Sequence, residues 1–218
     1  MTLKAELEGF QAGFRANAPV DVQEKMAAAT DELANSGILD SALIEGDRLP
    51  EFVLPNQLGD QVVSTALLAE GPMILTFYRG GWCPYCNLEL RAYQKMLGRI
   101  KGAGANLVAI TPELPDESLN TIEKNELAFH VLTDQNGVYA EELGLLFTVP
   151  EDIIELYNGF GIDLEKHNGK NKFILPLPAT FVVSKDGFVS KAFVDADYTK
   201  RMEPEEAVQA LESLNQAA

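Results

Sequence analysis

Two kinds of hydrophobic pattern alternate along this chain: short continuous apolar runs, and segments in which apolar residues recur every three or four positions. Continuous runs of this length are typical of buried strands, and they cover Ile74 to Tyr78, Ala105 to Ile110 and Phe129 to Thr133. The helical spacing follows the first run from Pro84 onward and the second from about Asp116 to Leu127. This strand and helix alternation predicts an α/β fold with a parallel sheet and helices on its faces.

The C-terminal part of the chain predicts a different arrangement. Two apolar segments, Ala179 to Ser184 and Phe188 to Val194, flank the turn sequence Lys185-Asp186-Gly187. We expect them to form an antiparallel hairpin. Pro204 to Leu214 predicts a closing helix with a proline in its first turn.

Residues 1–44 have two amphipathic stripes, separated by Ala18-Pro19. The stripes consist of Leu3, Leu7, Phe10 and Phe14, and of Val22, Met26, Ala29 and Leu33. We expect a helical arm over 1–44 and one domain over 45–218. The apolar face of the arm needs a cover, so it packs either on its own domain or against a second copy of the chain in a homodimer.

Residues 144–172 form a long insertion that breaks the regular pattern. We expect a short helix near Pro150 to Tyr157 and a polar loop from His167 to Lys172. The length of the insertion makes it a candidate lid. His167 could act there as a base, but a single histidine in a polar loop is more often solvated.

Composition and charge limit the classes of function. The apolar fraction of 46% is sufficient for a sizeable core, and the net charge of −16 disfavours nucleic acids and anionic membranes as partners. The N-terminus lacks a basic start followed by an apolar run, and no stretch approaches eighteen apolar residues. We therefore expect a cytoplasmic protein, and in that reducing compartment paired cysteines are more often catalytic than structural.

The chain has two cysteines, Cys83 and Cys86, placed where the first predicted strand turns into a helix. Pro84 suits the first helical position, which puts Cys83 at or near the N-cap and Cys86 in the first turn. The positive end of the helix dipole favours thiolates, and Arg79 adds a positive charge nearby. Because residues three apart share one helix face, a reversible disulfide is also expected, and the pair is predicted to be redox-active.

Three other interpretations of the cysteines are weaker. A structural disulfide would close a loop too short to restrain the unfolded chain much. A zinc site needs about four ligands, and the two histidines, His130 and His167, are distant in sequence and unpaired. Two inert buried thiols do not explain the Gly-Gly-Trp sequence before Cys83. No metal and no organic cofactor is predicted.

Several polar residues follow the predicted strands directly. In parallel sheets, ligands bind outside the C-terminal ends of the strands, where Arg79, both cysteines and Thr111 are expected to lie. Thr111 and Glu113 are therefore candidate pocket residues, with ordinary loop capping as the alternative.

The segment FYRGGWCPYC, Phe77 to Cys86, resembles the active-site turn of thioredoxins and glutaredoxins, with Trp82 before the CxxC. It is also similar to the peroxiredoxin loop Pro-x-x-x-Thr-x-x-Cys. Two further stretches, Gly46 to Pro55 and Pro178 to Phe181, resemble peroxiredoxin segments. From about Glu45 onward the chain most resembles the CxxC-carrying, peroxiredoxin-like branch of the alkyl hydroperoxide reductase and thiol-specific antioxidant superfamily.

This resemblance implies a thioredoxin-like fold of peroxiredoxin type and a peroxidase that reduces hydrogen peroxide or organic hydroperoxides. It assigns the attacking role to Cys86 and the resolving role to Cys83. Thioredoxin, glutaredoxin or glutathione would return the pair to the reduced state. Trp82, Thr111 and Pro178 are the residues expected to bind substrate, and the thioredoxin pattern implies a cis peptide bond before Pro178, facing the cysteines.

The chain also departs from the peroxiredoxin pattern. Arg79 stands in the place of the proline and Cys83 in that of the threonine, while Pro178 occupies the position of the arginine that polarises the peroxide. Arg79 is the proposed replacement for that arginine, and Arg91 and Lys95 are weaker candidates.

Two other functions stay open at the level of sequence. In a protein thiol-disulfide oxidoreductase Cys83 would attack, since the residue at the helix cap should be the more exposed cysteine. In a non-enzymatic redox sensor the disulfide would switch the lid or the arm.

Overall fold

The computed structural model describes residues 1–217. Its α-helices are α1 (Leu3–Asn17), α2 (Val20–Asn35), α3 (Ser64–Glu70), α4 (Pro84–Gly102), α5 (Pro115–Asn125), α6 (Val138–Glu142), α7 (Glu151–Gly159), α8 (Leu164–Asn168) and α9 (Pro204–Ala217). Its strands are β1 (Val53–Pro55), β2 (Gln61–Val63), β3 (Met73–Phe77), β4 (Asn106–Thr111), β5 (His130–Thr133), β6 (Leu146–Thr148), β7 (Ile174–Pro176), β8 (Ala179–Val183) and β9 (Val189–Val194).

A five-stranded sheet in the order β5-β4-β3-β8-β9 forms the centre of the molecule. The strands β3, β4 and β5 run parallel, and β8 pairs antiparallel with both β3 and β9. The predicted parallel sheet and the predicted C-terminal hairpin are both confirmed. The central strand β3 is buried along its whole length, as its continuous apolar run indicates.

Alternate side chains of β3 contribute to two separate cores. Leu75 and Phe77 pack with Ile110 and Phe181 on one face of the sheet. Ile74 points to the other face, where helices α4 and α9 cover the sheet with Tyr93, Leu97, Ile100, Val208 and Leu211. Because successive side chains of a strand point to opposite faces, one apolar run supplies both layers.

The arm consists of two helices with a break at Ala18-Pro19, as predicted, and it packs on its own chain. Leu3 and Leu7 of α1 are buried in the same cluster as Tyr85 of α4. The backbone N–H of Leu3 donates to Glu203 Oε2 at 3.2 Å, which holds the start of α1 close to α9. Met26 of α2 packs against helix α7. The arm therefore covers the end of the molecule at which the cysteines lie.

The insertion 144–172 is more regular than its sequence predicts. The predicted short helix is present as α7, and α8 replaces the first part of the predicted polar loop. Strands β6 and β7 pair antiparallel on either side of these helices, with Phe147 opposite Leu175. This pairing closes the insertion at its base.

The peptide bond before Pro178 is trans, as is every other peptide bond in residues 1–217. The predicted cis bond is therefore wrong. Leu177, which precedes this proline in the segment between β7 and β8, donates its N–H to the carbonyl of Leu145 at 2.8 Å.

Within the same residues, no helix has the length and apolar character needed to span a membrane.

Candidate active site

The cysteines lie where β3 leads into α4. Cys83 is the N-cap residue of α4 and Pro84 opens the helix, so Cys86 falls in its first turn, as predicted. The preceding loop is fixed by Gly81, whose N–H donates to Glu113 Oε1 at 2.9 Å. A Cβ on Gly81 would lie 1.9 Å from Thr121 Oγ1, so this position has room for glycine only.

Both cysteines are reduced and completely buried, each with an exposed fraction of 0%. The expectation that Cys83 would be the more exposed of the two is wrong. Both cysteines belong to one buried cluster with Tyr85 of α4 and with Leu3 and Leu7 of the arm. Phe10 of the arm packs edge-on against the Tyr85 ring, with the ring centres 5.1 Å apart. A large partner cannot reach either sulfur in this conformation.

Each sulfur has its own arginine. Arg79 Nη2 lies 3.3 Å from Cys83 Sγ, so the sequence-based expectation of a positive charge near the cysteines is confirmed. Arg201 Nη2 lies 3.2 Å from Cys86 Sγ. Guanidinium groups stay charged at all relevant pH values and stabilise a thiolate beside them.

Arg201 is held rigidly in the core. Its Nε donates to Glu89, and both side chains are 0% exposed. Its Nη1 donates to the carbonyls of Tyr198 and Lys200 at 2.8 and 2.6 Å. Burial raises the pKa of Glu89, and the charge of Arg201 opposes that shift. The guanidinium is therefore oriented toward Cys86 by partners that do not touch the sulfur.

Arg79 is held by aromatic side chains. Its Nη1 donates to the Tyr157 hydroxyl at 3.0 Å, and its Cζ lies 4.3 Å from the centre of the Tyr198 ring and 5.2 Å from that of Trp82. Such contacts favour a cation, and more strongly where water is excluded. Tyr157 belongs to α7, so the insertion supplies one wall of the site.

The pKa values of the two thiols are shifted in opposite directions. Burial alone would raise the pKa of Cys83, but the hydrogen bond from Cys86 and the charges of Arg79 and Arg201 hold that pKa well below its usual value. Burial and the hydrogen bond to Cys83 raise the pKa of Cys86 well above its usual value. The pair therefore favours a thiolate on Cys83 and the shared proton on Cys86.

A mostly apolar groove leads from the surface to Arg79. It has a volume of about 120 Å³ and runs between α2 of the arm and α7 of the insertion. The residues that line it include Met26, Ala29, Ile153, Pro178, Ala196 and Tyr198. A small molecule that enters here meets the guanidinium of Arg79, which in turn contacts Cys83.

The predicted substrate-binding residues are not all at this groove. Pro178 lines it, and Trp82 packs beside it, with its ring centre 5.3 Å from that of Tyr157. Thr111 is buried at the end of β4, where its Oγ1 accepts the N–H of Glu113 at 3.3 Å; it is not among the residues that line the groove.

The weaker arginine and lysine candidates bind elsewhere. Arg91 donates to Asn125 Oδ1 at 3.0 Å, and Lys95 lies 3.5 Å from Glu6. The prediction of Arg79 as the charged residue at the cysteines did not include Arg201, which contacts the second sulfur.

His167 is not solvated, so that expectation is wrong. Its side chain is 15% exposed, and its Nδ1 lies 2.8 Å from Glu117 Oε2 and 3.3 Å from Glu113 Oε1. The carbonyl of His167 accepts the N–H of Leu114 at 2.8 Å, which ties α8 to the start of α5. His130, by contrast, is exposed at the start of the edge strand β5.

Sequence reasoning missed Glu89, Arg201, Tyr157 and Tyr198. Glu89 could have been recognised from the sequence, because it lies between Cys86 and Leu90 on the apolar face of α4. A carboxylate in such a position requires a buried cation as its partner. Arg201 lies between β9 and α9, in a segment with no motif. Its role could not be inferred without the fold.

Comparisons with known proteins agree with this architecture. The model of the AhpC/TSA family matches residues 45–192, more than half of the chain. Peroxiredoxin Bcp of Escherichia coli (strain K12) is 28% identical over 100 residues, which cover 46% of this chain and 64% of that protein, or less than two thirds of its length. The chloroplastic peroxiredoxin Q of Triticum aestivum is 25% identical over 191 residues, covering 88% of this chain and 75% of that protein.

Among solved structures, peroxidoxin BcpB from Mycobacterium tuberculosis superposes with a TM-score of 0.61 at 20% identity, covering 78% of this chain and 96% of that chain. At this identity the likeness concerns the fold alone. It confirms the predicted thioredoxin-like α/β fold of peroxiredoxin type.

Proposed function

Because the chain belongs to the AhpC/TSA family, we propose that it is a thiol-dependent peroxidase that reduces hydrogen peroxide or organic hydroperoxides through Cys83 and Cys86. In this proposal residues 1–44 form an arm that covers the site, and residues 45–218 form the domain that carries both thiols. The arm packs on its own chain, so one chain contains the complete site and a homodimer is not needed for it.

The observation that carries this proposal is the pair of buried sulfurs, each beside its own arginine. A peroxide is small enough to enter the groove at Arg79, whereas a protein disulfide cannot approach two sulfurs that are 0% exposed. The burial therefore favours a peroxidase over a protein thiol-disulfide oxidoreductase.

The chemistry balances with the two thiols alone. A thiolate attacks one peroxide oxygen, so an S–O bond forms, the O–O bond breaks, and the alcohol or water leaves with a proton. The second sulfur then attacks the sulfenic acid and releases water, which leaves an intramolecular disulfide. The peroxide gains two electrons and the two thiols lose them. Arg79 and Arg201 stabilise the negative charge that moves from sulfur to oxygen.

We propose that Cys83 attacks first and that Cys86 resolves, the reverse of the order that the peroxiredoxin resemblance implies. The lowered pKa of Cys83 makes it the thiolate of the reduced pair. Arg79, which contacts Cys83, is also the residue that a molecule in the groove would meet first.

A dithiol donor must then reduce the disulfide, and thioredoxin, glutaredoxin and glutathione are the candidates. A protein donor needs the site to open, because both sulfurs are 0% exposed. A cytoplasmic location suits a pair that ends each cycle as free thiols.

The test is peroxide consumption by the full-length protein with each donor in turn. Catalytic turnover with at least one donor supports the proposal, provided that the Cys83→Ser/Cys86→Ser double variant shows none. Efficient reduction of insulin disulfides without peroxide turnover would instead favour the oxidoreductase. Rapid oxidation without turnover by any donor would favour a redox sensor.

A further inference from the structure

Three side chains that can bind a metal converge behind the loop that precedes Cys83. Glu113 lies just before α5, Glu117 lies in the first turn of that helix, and His167 lies in α8. One oxygen of each carboxylate and Nδ1 of the histidine all lie within 4.8 Å of one another. None of the three residues takes part in the proposed peroxide chemistry.

The cluster is largely enclosed. The side chains of Glu113, His167 and Glu117 are 1%, 15% and 17% exposed. His167 Nδ1 is buried and makes no hydrogen bond of acceptable geometry, although two carboxylate oxygens lie within 3.3 Å of it. The nitrogen therefore lies beside both carboxylates without the alignment that an N–H donor needs. A cation between the three groups would give each of them a partner.

The negative charge of the two carboxylates also favours a bound cation. Two carboxylates meet here, and Glu113 is almost fully buried, where an unpaired charge is costly. In the described part of the chain, His167 is the only basic side chain within 4 Å of either carboxylate. A single imidazolium offsets one of the two negative charges, whereas a divalent ion offsets both.

The donor types indicate the class of ion. Tetrahedral zinc with bonds of about 2.0–2.1 Å to nitrogen and oxygen separates its ligand atoms by about 3.3 Å. The separation of His167 Nδ1 from Glu113 Oε1 is 3.3 Å and equals this value, whereas its separation from Glu117 Oε2 is 2.8 Å and is shorter. Imidazole with carboxylates suits zinc and its transition-metal neighbours, whereas calcium and magnesium prefer oxygen ligands alone. We propose that Glu113, Glu117 and His167 form a site for a divalent cation of the zinc class, with water completing the coordination.

The role of this ion would be structural. Glu113 Oε1, which faces the cluster, also accepts the N–H of Gly81, two residues before Cys83. His167 lies in the insertion, and Glu117 lies in α5. The ion therefore ties the insertion to α5 and fixes the loop that places Cys83.

The test is calorimetric titration of Zn²⁺ into the full-length protein with Cys83 and Cys86 oxidised to the disulfide, so that no thiolate competes for the metal. We expect one ion per chain and a higher Tm, with no such effect from Mg²⁺. His167→Ala and Glu117→Gln should each weaken binding by more than about tenfold, since loss of even an outer partner of a metal site costs about 10–100-fold. The matched control is His130→Ala, which removes the other histidine and should bind as the wild type does.

Binding that is absent from the wild type, that survives both His167→Ala and Glu117→Gln, or that is lost equally in His130→Ala would overturn the proposal. Glu117 is the most exposed of the three ligands, so Glu117→Gln decides the result if His167→Ala fails to fold. Absorption of Co²⁺ in place of Zn²⁺ gives a second readout, in which the intensity expected of a tetrahedral site should disappear in Glu117→Gln.

Discussion

Arg201 Nη2 lies 3.2 Å from Cys86 Sγ, although 115 positions separate the two residues in the chain. The same guanidinium is held in the core by Glu89, one helical turn after Cys86. This contact gives the second sulfur a positive charge as close as the one that Arg79 gives the first. Each of the two cysteines therefore lies beside a fixed cation.

Replacing Arg201 by methionine should affect both stability and reactivity. Glu89 would be left as an unpaired carboxylate in the core, and breaking a buried ion pair in this way costs about 3–5 kcal/mol. The rate at which peroxide oxidises the cysteines should also fall, because Cys86 loses its cation. Urea unfolding and stopped-flow oxidation measure the two effects separately.

The double variant Arg201→Met/Glu89→Leu separates these effects further. An apolar pair of similar volume often restores the stability that a broken buried ion pair loses. We expect stability to recover and the oxidation rate to stay low. If the rate recovered together with stability, Arg201 would have a packing role only.

Arg79→Met should raise the pKa of Cys83. That pKa is lowered in the folded protein, so the thiolate is present above it and is lost as the pH falls through it. In the variant this loss should occur at higher pH, and near pH 7 alkylation by iodoacetamide should be slower. At still higher pH the difference between variant and wild type should shrink, because the variant's thiol then ionises as well.

Arg91→Met serves as the control, because Arg91 binds Asn125 and not a cysteine. Its alkylation profile should follow that of the wild type. Identical pH profiles for Arg79→Met and the wild type would show that Arg79 does not set the charge of Cys83.

Ala29→Trp should block the groove between α2 and α7, where Ala29 is half-buried. A bulky peroxide such as cumene hydroperoxide should lose about tenfold in kcat/KM, within the 1–3 kcal/mol that a hydrophobic pocket contributes to selectivity. Hydrogen peroxide should lose much less.

Ala28→Trp adds the same side chain at an exposed position on the same helix and should leave both rates unchanged. A uniform loss for both peroxides in Ala29→Trp would point to a disturbed fold instead of a blocked route.

The strand and helix at the site, and the role of Arg79, could be predicted because the sequence patterns that indicate them are local. The apolar run Ile74 to Tyr78 predicts a buried strand, and Pro84 predicts the helix start that places Cys83 at the N-cap. Arg79 is four positions from Cys83, so the turn alone brings them together. Each of these features depends on residues within one strand or one turn of helix.

The remaining features depend on long-range packing. Tyr157 of the insertion shows no local signal for its contact with Arg79, and Leu3 of the arm lies in the same buried cluster as the cysteines, so neither could be assigned from its own segment. Cys83 is 0% exposed, which reverses the expectation based on its cap position. The sequence predicts His167 to lie in a loop, whereas the contact between α8 and α5 places it beside two carboxylates.

The order of attack is tested by the two single serine variants. If Cys83 attacks first, Cys86→Ser should react rapidly with peroxide and form a sulfenic acid that dimedone traps on Cys83. Cys83→Ser should react slowly, since the raised pKa of Cys86 keeps it protonated. Rapid trapping on Cys86 in Cys83→Ser, with a slow Cys86→Ser, would return the attacking role to Cys86.

The most direct test of peroxidase chemistry at this pair is rapid mixing of the reduced wild-type protein with one equivalent of peroxide, followed by fluorescence and intact mass. Trp82, the single tryptophan, adjoins Cys83 and should report the reaction. We predict a fast change in fluorescence, the loss of both thiols, and a mass lower by two hydrogen atoms. Retention of both thiols, or oxidation no faster than that of the urea-unfolded chain, would contradict peroxidase chemistry at Cys83 and Cys86.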